Sequence, residues 1–269
     1  MSTNHKHEHG IECNINWPLT DLCANISKIV YNDLDTVTEY LKTNKIKYSS
    51  IKMFDKDNAE GYGIVMHDYV ILAFRGTGAK DDGELSISAA FKDFLADIKA
   101  WPSESETQGS VHSGFKTELD KLWPQVIKWL GKKVTTKKIV ITGHSLGAAM
   151  ATICASRLHE QGADLVLYTF GSPRVGDNIW ARQFDDIEAY RIVNNNDLIC
   201  RVPPFGYYSH VGFLHYITYD QHIKTDMTSW QRFVDRIKGT FKALSKFQPF
   251  DAVYDHPGKQ YVKKITNRK

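Results

Sequence analysis

The feature that most constrains this chain is one junction of strand, turn and helix. Residues 138–142 read Lys-Ile-Val-Ile-Thr, a β-rich apolar run, and Gly143-His144-Ser145-Leu146-Gly147 follows at once. Ala148-Ala149-Met150-Ala151 then opens a run of small residues suited to a helix. A serine held on so sharp a turn brings together the residues two places before and after it, so neither can carry a bulky Cβ substituent. Gly143 and Gly147 meet that need. Such a turn presents the Ser145 hydroxyl at the C-terminal edge of a sheet and aims the first helical N–H groups at any oxyanion forming beside it. A plain glycine-rich turn is the alternative, and the flanking pattern argues against it.

Further apolar runs at 165–170 and 189–193 alternate with helical patterns at 146–161 and 178–184. That alternation predicts an α/β fold with a mostly parallel central sheet, joined and flanked by helices. Upstream, residues 62–66 and 69–74 read as a hairpin about His67-Asp68, and residues 19–42 as two short helices with a break near Asp33. Residues 115–130 read as a helix that Pro124 kinks or restarts. Residues 210–219 are expected to hold a strand pair, and residues 229–244 an amphipathic helix through Trp230, Phe233, Val234, Ile237 and Phe241. With no repeat and no linker, the 269 residues are expected to form one domain over 19–269, preceded by a polar tail at 1–18.

Composition excludes several classes. Lys plus Arg number 34 against 31 Asp plus Glu, and the charges are interspersed, so nucleic acid is not an implied partner. The longest apolar run, 69–74, is far short of a bilayer span, and no transmembrane segment is expected. Residues 1–10 are polar and lack the apolar stretch of an export signal. The expected location is therefore cytoplasmic by default, with secretion of a differently processed form as the alternative. His5, His7 and His9 in that stretch read as a solvated tail rather than a metal site. Cys13, Cys23, Cys154 and Cys200 show no C-x-x-C spacing, so no metal is expected; Cys13 and Cys23 could pair in an oxidising compartment, and Cys154 reads as a buried hydrophobe.

A serine hydroxyl is a poor nucleophile at neutral pH. It needs a histidine base, and that histidine needs a carboxylate to fix its tautomer. On this kind of turn the chain order is serine, acid, histidine. The downstream acids are Asp177, Asp185, Asp186 and Asp197, and the downstream histidines His159, His210, His215, His222 and His256. Asp197 leads because it lies in Asn194-Asn195-Asn196-Asp197, just past the strand ending near Val193. His256 leads because Tyr254-Asp255-His256-Pro257-Gly258 follows the last long helix, in a turn able to return an imidazole over the serine.

These residues resemble the class 3, fungal-type lipases of the α/β-hydrolase fold. The resemblance runs from about residue 62 to 262. It is carried by Phe74-Arg75-Gly76-Thr77, His112-Ser113-Gly114-Phe115, Gly143 to Gly147, the stretch 168–177 reading Y-T-F-G-S-P-R-V-G-D, the stretch 194–204, and Asp255-His256. It implies Ser145 as nucleophile, Asp197 as orienting acid and His256 as base, with the backbone N–H groups of Thr77 and Leu146 as the oxyanion hole. It implies a helical lid within 78–101 bearing Ile87, Phe91, Phe94, Leu95 and Ile98, although a core helix has the same pattern. Asp97 is expected to hold the Thr77 hydroxyl, and His144 and His112 to have packing or supporting roles. Phe91, Phe94, Phe205, Tyr207 and Tyr208 are the expected acyl contacts, with a plain core cluster as the competing reading for the last three.

The implied activity is a serine carboxylester hydrolase, foremost a triacylglycerol lipase acting at a lipid–water interface with no cofactor and no protein partner. An esterase of soluble or aromatic esters and a phospholipase A1 are the enzymatic alternatives, and a catalytically silent binding module is the remote one.

Overall fold

The computed structural model describes residues 14–76, 101–204, 206–225, 227–244 and 255–268. Helix α1 (Trp17–Ile29) opens with Asn16, whose side chain accepts the Leu19 N–H, and Pro18 sits in its first turn. The helix thus begins inside the stretch read as tail. Asp33 accepts the Thr36 N–H and starts α2 (Leu34–Thr43), which is the break the sequence announced.

Strands β1 (Ser50–Lys56), β2 (Ala59–Val65) and β3 (Tyr69–Phe74) form an antiparallel meander. β1 is an addition to the expected hairpin: half its residues are charged or exposed, as befits an edge strand, so it lacks the apolar run that marks its neighbours. A two-stranded ribbon, β4 (Pro102–Glu104) with β5 (Ser110–His112), leads into α3 (Ser113–Leu130). Pro124 does not restart α3, for the helix is continuous through it. Phe115, Leu119, Leu122, Val126 and Leu130 are all buried along one stripe, and that burial, at about 1.5 to 3 kcal/mol per side chain, outweighs the roughly 3 kcal/mol that an interior proline costs.

A short helix, α4 (Lys133–Thr136), precedes β6 (Lys138–His144), α5 (Leu146–Glu160), β7 (Leu165–Phe170), α6 (Asn178–Ala181), a 3₁₀ turn (Arg182–Asp185) and β8 (Glu188–Asn194). β3, β6, β7, β8 and β9 (Phe213–Ile217) run parallel, and β10 (Ile223–Lys224) closes the sheet antiparallel to β9. The strand order is β1-β2-β3-β6-β7-β8-β9-β10. The pair expected within 210–219 is therefore one strand, and its hairpin partner lies further on, because β10 is too short and polar to stand out in sequence.

Alternate residues of β3 face opposite layers, as the strand period requires. Val70, Leu72 and Phe74 join α3 and α5 in one core, while Ile71 and Ala73 join α1, α2 and α8 (Gly258–Thr266) in the other. α5 is buried on every side from Leu146 to Leu158, and its small residues let the layers close over it. β6, β7 and β8 all end at one edge, so the residues that follow them, Ser145, Gly171 and Asn195, meet there.

Candidate active site

Ser145 stands at φ 60°, ψ −128°, between β6 and α5. An L-residue rarely adopts that conformation, and it persists only where the surroundings dictate it. The surroundings here are backbone: a Cβ on Gly143 would overlap the Gly147 carbonyl, and a Cβ on Gly147 would overlap the Phe74 carbonyl. The Ser145 N–H donates to the Phe170 carbonyl at 3.1 Å, tying the turn to β7. Leu146 is the first residue of α5, so its N–H has no acceptor within the helix and remains available at the serine.

The Ser145 hydroxyl donates to His256 Nε2 at 2.9 Å. The Asp197 carboxylate accepts from His256 Nδ1 at 3.0 and 2.9 Å. Since a carboxylate only accepts, Nδ1 carries the proton and Nε2 presents its lone pair to the hydroxyl. All three side chains are buried. Asp197 also accepts the Ile199 N–H at 2.9 Å and the Tyr261 hydroxyl at 2.6 Å. Burial by itself would raise this carboxyl, but the facing His256 imidazole and the hydrogen bonds from His256, Tyr261 and Ile199 together hold it below the usual range. It stays ionised. Gly171 at φ +61° lets the chain pass under the pair, where a Cβ would come within 2.9 Å of Asp197 Oδ2 and 3.2 Å of His256 Cε1.

The histidine is fixed from two further sides, one through His144, for which a supporting role was expected, and one through Asp255 and its partners, to which no role was given. His144 Nε2 donates to the His256 carbonyl at 2.7 Å, which leaves its Nδ1 to accept the Tyr31 hydroxyl at 3.2 Å. The two imidazoles lie 4.6 Å apart. Burial, reinforced by His256, pushes His144 down to about 3, so it holds this neutral tautomer. Asp255 accepts from Asn194 Nδ2 at 3.2 Å and from the Asn196 N–H at 3.1 Å, and pairs with Lys264 at 3.0 Å. Asn194 Nδ2 also reaches the Asp255 carbonyl at 2.7 Å. The turn that carries His256 is thereby stapled to the loop that carries Asp197. Tyr261 has one readable signal, a position five residues past His256 on an amphipathic helix; Tyr31 and Lys264 have none.

Other expected residues fall elsewhere. His112 caps α3, accepting the Gly114 N–H at 3.1 Å and stacking on Phe115 at 4.1 Å. Burial lowers it to about 4. Tyr208 is buried with its ring 5.8 Å from that of His112, and the half-exposed Tyr207 packs edge-on against Tyr208. Their ring contacts place the pair beside the α3 cap. Thr77, Phe91, Phe94, Asp97 and Phe205 lie outside the described residues, as does Cys13 of the possible Cys13–Cys23 pair; Cys23 itself is a buried thiol in the α1 layer. Among the described residues no helix is long and apolar enough to cross a membrane, and no cluster of three or more potential ligands could hold a metal.

Residues 71–207, half of the chain, match the model of the class 3 lipases. The chain belongs to that family, and its sheet is that of the α/β-hydrolase fold. A secreted mono- and diacylglycerol lipase of Fusarium solani is 39% identical over 105 residues, 36% of this chain and 31% of that protein. A lipase of Rhizomucor miehei is 31% identical over 157 residues, 51% of this chain and 42% of that protein. The chain thus spans less than half the length of these curated relatives. Lipase II from Rhizopus niveus is similar in structure, with a TM-score of 0.65 at 21% identity over 89% of this chain and 92% of that one.

Proposed function

We propose that the protein hydrolyses carboxylic esters of acylglycerols through Ser145, His256 and Asp197. One observation carries the reading: the unbroken hydrogen-bond chain from the Ser145 hydroxyl through both nitrogens of His256 to a buried, ionised Asp197. As Ser145 Oγ attacks the ester carbonyl, its proton passes to His256 Nε2, and the imidazolium so formed is stabilised by the carboxylate it already faces. The carbonyl oxygen becomes an oxyanion held by the N–H of Leu146 and, by the family resemblance, that of Thr77. The imidazolium then protonates the leaving alcohol. Water, deprotonated by the same nitrogen, releases the acyl group as a carboxylate. Losing one oxyanion donor typically costs about 2.7 to 4 kcal/mol of barrier.

The acylglycerol substrate is supported by the family and by the named activities of the relatives. Replacing Ser145→Ala tests the assignment: turnover of a short-chain glycerol ester should fall by about 10⁵-fold or more, while circular dichroism keeps the native form. Retention of even a hundredth of the activity overturns it.

A further inference from the structure

Helix α7 (Ser229–Leu244) wears its apolar stripe on the outside. Trp230, Phe233 and Ile237 follow one another at helical spacing and are 69%, 44% and 41% exposed. The rings of Trp230 and Phe233 pack at 5.5 Å on that outer face. The side turned to the protein is polar. Asp235 is buried and accepts the Tyr219 N–H at 3.1 Å. Gly239 lies so close to Asn195 that a Cβ would stand 2.7 Å from its Nδ2, and Asn196 Nδ2 donates to Thr240 Oγ1 at 3.1 Å. A helix that packs only to stabilise a core has the opposite arrangement.

Charge and position narrow what covers this face. The helix sequence holds four cations, Arg232, Arg236, Lys238 and Lys242, against the single acid Asp235, and that acid points inward. Lys238 is exposed beside Ile237. Lysine is depleted where proteins meet proteins, whereas an apolar stripe with flanking cations fits the boundary between anionic headgroups and acyl chains. The helix rests on Asn195 and Asn196, the residues just before Asp197, so whatever it binds is brought to the loop of the site's acid.

We propose that α7 docks the protein on an anionic lipid surface, with Trp230, Phe233 and Ile237 entering the headgroup boundary and Lys238 meeting the phosphates. The purpose of this surface rests on the lipid-ester reading of Ser145, but its existence does not. The test therefore uses full-length Ser145→Ala protein, which binds without hydrolysing, sedimented with phosphatidylcholine vesicles that contain or lack phosphatidylglycerol. Binding should be stronger on the anionic vesicles and weaken as salt is raised. Adding Trp230→Ser, Phe233→Ser and Ile237→Ser together should lower partitioning about tenfold or more, with an unchanged melting curve. Lys238→Glu should lower it severalfold on anionic vesicles only. Equal binding to both vesicle types overturns the proposal, as does full binding by the triple variant. So does loss of binding on changing Phe91 and Phe94 to serine while the triple variant still binds, since the lipid contact would then lie in 77–100. Light scattering that shows a dimer abolished by the triple variant would assign the face to a second copy and equally overturn it. Failure of hydrolysis with intact vesicle binding would break only the lipase reading; failure of binding with intact hydrolysis would break only this one.

Discussion

The two halves of the site are built on different physics. The elbow around Ser145 is held by contact between main chains: Gly143 lies against Gly147, Gly147 against Phe74, and the strained serine has nowhere else to go. The turn around His256 is held by polar bonds to two distant segments, His144 at the end of β6 and the stretch of Asn194 and Asp197, with Asp255 of the turn itself and Tyr261 and Lys264 of the following helix completing the set. Ser145 is thus locked by steric exclusion, which is all or nothing. His256 is positioned by hydrogen bonds, which can be removed a few at a time and at graded cost.

If that contrast holds, a methyl group at the elbow should do more harm than any single polar deletion at the turn. Gly143→Ala drives a Cβ into backbone that cannot move aside, and the expected loss is about 4 kcal/mol or more of stability; equilibrium denaturation measures it, and a stable, active variant would end the steric account. Asp255→Asn should leave the protein folded. Removing the charge from its largely buried pair with Lys264 should cost about 3 kcal/mol and lower kcat roughly tenfold with little change in KM. If this variant instead melts like Gly143→Ala, the turn is not separately held and the comparison fails. Tyr261→Phe removes one charge-assisted bond from Asp197 and the acceptor of the buried Asn194 N–H; since the histidine and Ile199 bonds remain, kcat should drop only about three- to tenfold, and melting temperature and kcat together check the effect.

Stability also depends on pH. His112 and His144 are buried neutral, with folded values of about 4 and about 3 against an ordinary 6.5. As pH falls through 6.5 the unfolded chain takes up protons that the folded chain refuses until much lower, so stability declines from about 6.5 toward 4. The slope is at most about 1.4 kcal/mol per pH unit for each histidine. Burial also lowers His210 and His215, so denaturation at a series of pH values should show a summed slope, and His112→Asn, which keeps an acceptor for the Gly114 N–H, should remove only about a quarter of it. A flat profile across this window would mean that none of these imidazoles is held neutral.

Much of the elbow was legible because its causes are local. A β-rich run, two glycines two residues either side of a serine, and a run of small residues state strand, close approach and helix within fourteen positions. The parallel sheet was legible for a similar reason, since fully buried strands such as β7 read as continuous apolar runs. β1 and β10 were not, one being a charged edge and the other two residues long. Asp197 and His256 could be ranked only by chain order and by the loops they occupy. Their supports could hardly be ranked at all: nothing near Tyr31 in sequence indicates a bond to His144, 113 residues away.

The amino-acid sequence by itself determined the strained turn, the alternation that makes the sheet parallel, and which serine sits on that turn, because steric exclusion and hydrophobic period act over a few neighbouring positions. Only the tertiary structure decided which groups fix the imidazole and which face of α7 meets solvent. Those outcomes depend on the desolvation of polar groups drawn together from opposite ends of the chain, and on packing that turned an apolar stripe outward against the expectation of its own pattern.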